Sequence, residues 1–318
     1  MTTTEQKSLH DIRTIIEGLR SRYLKTERDQ LFRAHLDRLL KCDANGNLIP
    51  EPVVYTSTGD THGIVLVDGA GGGKTSLVRH ALRTHPALQA ASAETKPWIS
   101  VRVPSPATLK SLGLEVLRRS GYPKISESRE RWSVWNLVRQ RLQELGTVVL
   151  WIDEAHDLFK PGASRETRDI LDTFKILMQD EGAVIIVLSG IETLWQITSA
   201  DEQVKRRFSK IGLPAVNATK DGALLWRLIE HFCASAELSV PARADLVERL
   251  IHASRARFGR CIEQLIHAIE VALLQGAETL DIQHFAEAWA MQEGCAPGEN
   301  VFLSPRWSRI NLGAPSHV

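Results

Sequence analysis

The sequence predicts a three-layer α/β domain followed by an all-helical one. Four short, β-branched runs, Ile64–Val67, Trp98–Val103, Val148–Ile152 and Val184–Leu188, alternate with amphipathic helical stretches. Their continuous apolar character suits parallel strands covered on both faces. After Val216 the strand signal stops and only helical periodicity continues. The length, 318 residues, is enough for about two domains that each bury a core.

Taken in order, residues 1–48 form an N-terminal helical extension. Leu9, Ile12, Ile15, Ile16 and Leu19, then Leu31, Phe32, Leu36, Leu39 and Leu40, fall at helical spacing across 8–41. Ser8 with Asp11 three residues on is a capping pair. The opposite face carries Arg13, Arg20, Arg22, Lys25 and Arg28, a solvated face or a docking surface. Residues Asp43 to Asn47 mark a turn. The span 49–216 is the α/β domain, its helices expected near 75–88, 108–120, 131–145 and 165–180. The span 217–295 is a helical lid, with helices over 219–237, 241–254, 260–275 and 281–292 and Pro241 and Asp281 near helix starts. The tail, 296–318, holds Pro297, Gly298, Pro305, Gly313 and Pro315 and reads as irregular.

Charge excludes some classes. There are 39 Lys and Arg against 38 Asp and Glu, a formal charge of +1, which rules out a histone-like polycation or an acidic tail protein. A local basic groove stays open. Cys42, Cys233, Cys261 and Cys295 show no metal or disulfide spacing, which points to a reduced, cytoplasmic chain. The N-terminus lacks a signal-peptide apolar region, and the most apolar runs are far short of the roughly 20 residues that span a bilayer. No membrane role is expected.

The sharpest local signal runs from strand to helix: Asp68, Gly69, Ala70, Gly71, Gly72, Gly73, Lys74, Thr75, Ser76. Consecutive glycines let backbone N–H groups turn inward as an anion nest, and the following helix adds its positive dipole end. Lys74 supplies a mobile charge for the β- and γ-phosphates, and Thr75 a hydroxyl for Mg²⁺. The motif GxxxxGK[ST] expects glycine where this chain has Asp68, and an acid beside a polyanion must point its carboxylate away. Gly69, one residue later, is placed to serve the turn. Residues 69–76 are therefore the expected ATP contacts.

The second signal is a buried strand ending in two acids, Trp151-Ile152-Asp153-Glu154. Parallel α/β sheets bind ligands at the carboxyl ends of their strands. Asp153 is expected to hold the Mg²⁺ shell and Glu154 to orient and deprotonate the attacking water. An Asp-Glu pair after a strand also serves as an N-cap; the glycine loop upstream favours the catalytic role. Asp153-Glu154-Ala155-His156 spells the box of one helicase class, but the other helicase sequence blocks are missing, so His156 is expected to make local hydrogen bonds.

Three further features follow. Ser189 leaves a strand where a small hydroxyl would position the attacking water, although Ser189-Gly190 is equally a strand-exit turn. Arg206 and Arg207, inside Lys205-Arg206-Arg207-Phe208, would reach a neighbouring subunit's γ-phosphate, and the sequence does not choose between them. Arg257-Phe258-Gly259-Arg260 opens a lid helix, which makes Arg260 a sensor of phosphate in the same chain.

This order of motifs resembles the AAA+ ATPases, and more narrowly the TniB/TnsC-type transposition regulators. Val101-Arg102-Val103-Pro104-Ser105-Pro106, Leu117–Pro123, the block at 153–156 and Arg257–Arg260 carry the narrower resemblance, which spans about residues 8–295. Asp68 is its main departure. The resemblance implies a P-loop AAA+ domain with a helical lid, ATP and Mg²⁺ as cofactors, and a homo-oligomer, ring or helical filament, on duplex DNA. It further implies recruitment of a transposase, and a target-selector protein as another partner, with hydrolysis driving disassembly. In such proteins the segment after the second strand faces DNA; here it holds Thr108, Lys110, Arg118 and Arg119. Two other readings stay open: a protein-remodelling or secretion/signalling AAA+ ATPase that needs no DNA, and a nucleotide-binding switch with little turnover.

Overall fold

The computed structural model describes residues 7–313 except Thr58, Lys124, Glu127 and 160–163. The outer ends of the expected extension and tail, residues 1–6 and 314–318 with Pro315, lie outside the described residues. In chain order the elements are α1 (Leu9–Ser21), α2 (Glu27–Asp37), β1 (Leu40–Cys42), β2 (Leu48–Pro52), β3 (Gly63–Val67), α3 (Lys74–Thr84), β4 (Trp98–Arg102), α4 (Leu109–Ser120), α5 (Arg131–Glu144) and β5 (Val149–Asp153). There follow α6 (Ser164–Leu177), β6 (Ile185–Gly190), α7 (Thr193–Ala200), α8 (Glu202–Lys205), β7 (Phe208–Gly212), α9 (Ala218–Ala236), α10 (Leu246–Ala253), α11 (Phe258–Leu274) and α12 (Ile282–Glu293). The chain divides into two compact units, one of Lys25–Ala70 with Lys74–Leu213, the other of Met1–Leu24, Gly71–Gly73 and Pro214–Val318.

The first of these is built on a parallel sheet ordered β4-β5-β6-β3-β7. Successive residues point to opposite faces, and both faces are covered, which is why the strands read as unbroken apolar runs. Val65, Val67, Ile99, Val101, Leu150, Ile152, Ile186 and Leu188 pack with α4, α5 and α6 on one face. Ile64, Leu66, Val149, Trp151, Ile185, Val187 and Ile211 pack with α2 and α3 on the other.

Two strand pairs depart from the sequence expectation. β7 runs from Phe208 to Gly212, directly after Lys205-Arg206-Arg207, where no strand is expected. As an edge strand it buries only Phe208 and Ile211 of its five residues, so it lacks a strong apolar period. β1 and β2 form an antiparallel hairpin around the expected turn, where Asp43 Oδ1 accepts the N–H groups of Asn45 and Asn47 at 2.8 Å each.

The other unit is helical. α9 to α12 bury Leu225, Ile229, Phe232, Leu265, Ile269 and Phe285 in one core, and α1 adds Ile12, Ile16 and Leu19 to it. The expected extension over 1–48 is therefore not a unit of its own: α1 belongs to the helical unit, while α2 and the hairpin belong to the sheet unit. The single helical stretch over 8–41 breaks at 22–26 because Thr26 and Asp29 form a second capping box, a T-x-x-D signal visible in the sequence. The Ser8–Asp11 box starts α1 as expected.

The tail from Ala296 is not a loose end over its described length. Val301 and Phe302 are buried, and the Phe302 ring centroid lies 5.3 Å from that of Phe285. Arg249 donates to the carbonyls of Val301 (2.7 Å) and Ser304 (2.9 Å), and Arg255 to that of Leu312 (2.9 Å). Basic side chains near α10 thus satisfy carbonyls that no regular element pairs.

Candidate nucleotide site

The site of the sheet unit is built at the carboxyl ends of β3, β5 and β6, its central strands. β3 ends at Val67, and the chain turns at once: Asp68 N–H donates to Gly190 O (3.2 Å). The Asp68 carboxylate is buried and its Oδ1 accepts the Gly69 N–H at 2.7 Å. The off-pattern acid thus turns back onto the loop's own backbone, which answers the electrostatic objection raised by its position. Lys74, the first residue of α3, is also buried, and its Nζ donates to the carbonyls of Asp68 (2.9 Å) and Gly69 (3.1 Å). A buried ammonium costs free energy unless its donors are matched, and these carbonyls match two of the three.

Next to it, Thr75 Oγ1 donates to Asp153 Oδ2 at 2.8 Å. A hydroxyl and a carboxylate converging in this way offer hard oxygen ligands, which suit Mg²⁺. Among the described residues no group of three or more His, Cys, Asp or Glu forms a metal cage. A cation here would rely on substrate oxygens and water for its remaining ligands, the usual habit of Mg²⁺.

Glu154, directly after β5, adopts φ 53° and ψ 39°, the left-handed region that is costly for a non-glycine residue. Such strain at a strand exit is a common mark of a functional position. Its carboxylate is about one-quarter exposed and lies 3.5 Å from His156 Nδ1. His156 packs so closely on the next strand end that a Cβ at Gly190 would stand 2.9 Å from Nδ1. The local hydrogen bonds expected of His156 are not formed at Nδ1, which is buried without a hydrogen-bond partner among the described residues.

Ser189 is fully buried, and its hydroxyl is committed: Oγ donates to Asp153 Oδ1 at 2.6 Å and accepts the Trp151 Nε1–H at 2.8 Å. It holds Asp153 instead of standing free to hold a water, which corrects the role expected from the sequence. Trp151 is the member of this set that sequence reasoning missed. A polar N–H within an apolar strand run, two residues before the acid, is the signal that was there to find.

The two arginines after α8 separate. Arg206 is exposed, whereas Arg207 is 4% exposed and its Nη2 donates to buried Asp60 at 2.9 Å. An arginine locked inside its own subunit cannot reach another, so Arg207 is removed from the expected trans pair and Arg206 remains. Thr108 caps α4, accepting the Ser111 N–H at 3.0 Å. Lys110 is half-buried, and Arg118 and Arg119 are exposed but share Glu115 at 2.6 and 2.9 Å. Those hydrogen bonds, Arg118's first, hold the Glu115 carboxyl below its ordinary range. In the helical unit, which includes Gly71–Gly73, the Arg260 N–H donates to Gly71 O at 3.0 Å, and a Cβ on Gly259 would fall 2.4 Å from the same oxygen. Only glycine fits at 259. Gly71 and Gly73 take φ of 76° and 93°, as a nest requires; Ala70 and Ser76 are exposed, and Gly72 is buried.

The family model of the bacterial TniB protein matches residues 49–218, more than half of the chain. The chain belongs to the TniB family. Among solved structures, Cdc6p from Pyrobaculum aerophilum matches this TniB-family chain with TM-score 0.63 at 16% identity, over 86% of this chain and 69% of that one. The ORC1 protein of Aeropyrum pernix, solved in complex with DNA, matches with TM-score 0.59 at 17% identity, over 88% and 69%. At such identities the likeness is one of fold: a parallel sheet between helices, as in these two proteins. No curated protein matches the chain. Among the described residues no helix is long and apolar enough to cross a membrane.

Proposed function

We propose that this TniB-family chain is an ATP-hydrolysing, DNA-binding regulator of transposition that assembles as a homo-oligomer on target duplex DNA and recruits a transposase. The observation that carries the nucleotide part is the convergence of Lys74, Thr75 and Asp153, with Glu154 adjoining, at the carboxyl ends of β3 and β5. The family match supports the transposition part. Lys74 would leave its two carbonyls for the β- and γ-phosphates, and the glycine amides of 69–73 would bind phosphate oxygens. Thr75 and Asp153 would hold Mg²⁺, which when bound neutralises charge on the phosphates. Glu154 would take the proton of the attacking water, and Arg206 of a neighbouring copy would stabilise charge at the γ-phosphate. Arg260, in the lid, would sense that phosphate within its own chain. Arg118, Arg119 and Lys110 would make sequence-independent phosphate contacts that weaken with salt. A target-selector protein is a further partner in this reading.

The test is duplex DNA binding by fluorescence anisotropy, with and without a non-hydrolysable ATP analogue, using the native chain and Lys74→Ala. Tight binding only with nucleotide, lost in Lys74→Ala, is the expected result. Equal affinity in all four conditions would overturn the coupling, and ATP turnover stimulated by protein but never by duplex would favour a remodelling ATPase.

A further inference from the structure

We infer that Trp151 is a positioning residue for Asp153, acting by fixing which way the Ser189 hydroxyl points; this rests on the nucleotide-site reading above. The three side chains share one face of the sheet. Trp151 and Asp153 are two residues apart on β5, and Val187 pairs with Trp151, so Ser189, two residues further along β6, is its diagonal neighbour. All three are buried, Trp151 at 1%, Ser189 at 0% and Asp153 at 7% exposure.

Donor and acceptor chemistry sets the direction of the chain. An indole N–H only donates, so at 2.8 Å it must occupy a lone pair of Ser189 Oγ. A serine hydroxyl has one proton, and an ionised carboxylate only accepts. With one of its two lone pairs taken by Trp151, Ser189 gives that proton to the acceptor-only carboxylate, Asp153 Oδ1, at 2.6 Å. Thr75 gives a second to Oδ2 at 2.8 Å. Asp153 is thus gripped at both oxygens, and its plane is set before any cation arrives. Without the indole N–H the hydroxyl becomes a free rotor able to turn its proton elsewhere, and Asp153 loses a fixed donor. Groups that orient a metal ligand in this way commonly change metal affinity by about 10–100-fold when removed.

The experiment uses the full chain as Trp151→Phe, Ser189→Ala and the double variant. Binding of a fluorescent ADP analogue is titrated with Mg²⁺ and repeated in chelator. Each single variant is expected to raise the Mg²⁺ midpoint about tenfold, leaving affinity in chelator unchanged. The double variant is expected to match Ser189→Ala, because both changes break one chain. An unchanged midpoint in Trp151→Phe, an equal loss in chelator, or multiplying effects in the double variant would each overturn the inference. Should Trp151→Phe not fold, Ser189→Ala decides, since an unchanged midpoint there breaks the same chain of reasoning. A native chain that binds no nucleotide in either condition would instead sink the site reading itself.

Discussion

The two ends of the central sheet both carry buried polar clusters, and they are built to opposite ends. At the carboxyl end, Trp151, Ser189, Thr75 and Asp153 form a directed chain of donors converging on one carboxylate, beside a lysine resting on loop carbonyls. At the amino end, Asp60 receives Arg207 Nη2 and Gln179 Nε2 at 2.9 Å each, and the Arg207 carbonyl accepts the Gly63 N–H at 2.8 Å. That second cluster ties the starts of β3 and β7 together, yet leaves Arg207 Nε and Nη1 buried without partners among the described residues. One cluster presents a charge for use; the other consumes its charges internally. Of two adjacent arginines, Arg207 is thus held inside the sheet unit while Arg206 stays exposed.

The largest effect that sharpens this contrast is on turnover. Arg206→Ala is expected to lower ATP hydrolysis by the assembled protein roughly 10³-fold, the scale of a trans-acting arginine. Binding of nucleotide by the lone subunit should be untouched. Full turnover in that variant would break the comparison by returning the trans role to another cation. Next in size is a stability effect: Asp60→Ala leaves Arg207 buried without its counter-charge, which costs about 3–5 kcal/mol. Chemical denaturation should show it, and Asp60→Leu combined with Arg207→Met should regain much of the loss. A double variant no more stable than the single one would mean that the pair does more than balance charge.

The smallest expected effect is on pH. His35, His62, His80 and His85, all in the sheet unit, are held below the ordinary imidazole range, in each case first by burial. The unfolded chain therefore takes up protons at a higher pH than the folded one. Stability is complete above the ordinary imidazole value of about 6.5 and falls as pH drops through it, until the lowered folded values are passed. His85 shows why: its Nδ1 accepts the Ala87 N–H at 3.1 Å while Nε2 faces Asp37 at 2.8 Å, so a second proton removes an acceptor. A urea midpoint that does not move between about pH 7.5 and about pH 5.5 would refute this.

The core strands, the glycine loop and the strand-terminal acids were legible because each is a local pattern: an apolar run, a cluster of small residues, a polar pair closing a strand. The weakly patterned edge strand β7 was not, and the break at Thr26 shows in the sequence only as a T-x-x-D cap signal set against a sustained helical period. By itself the sequence determined the parallel sheet, the glycine-rich loop after β3 and the acids Asp153 and Glu154 at the end of β5. Only tertiary structure decided that Asp60 captures Arg207 from 147 residues away, that Trp151 directs Ser189 from 38 away, and that the tail docks through Arg249 and Arg255. Local pattern fixes which residues can donate, accept or carry charge; which partner each one finds depends on strand order and packing, which bring together groups that no short window of sequence contains.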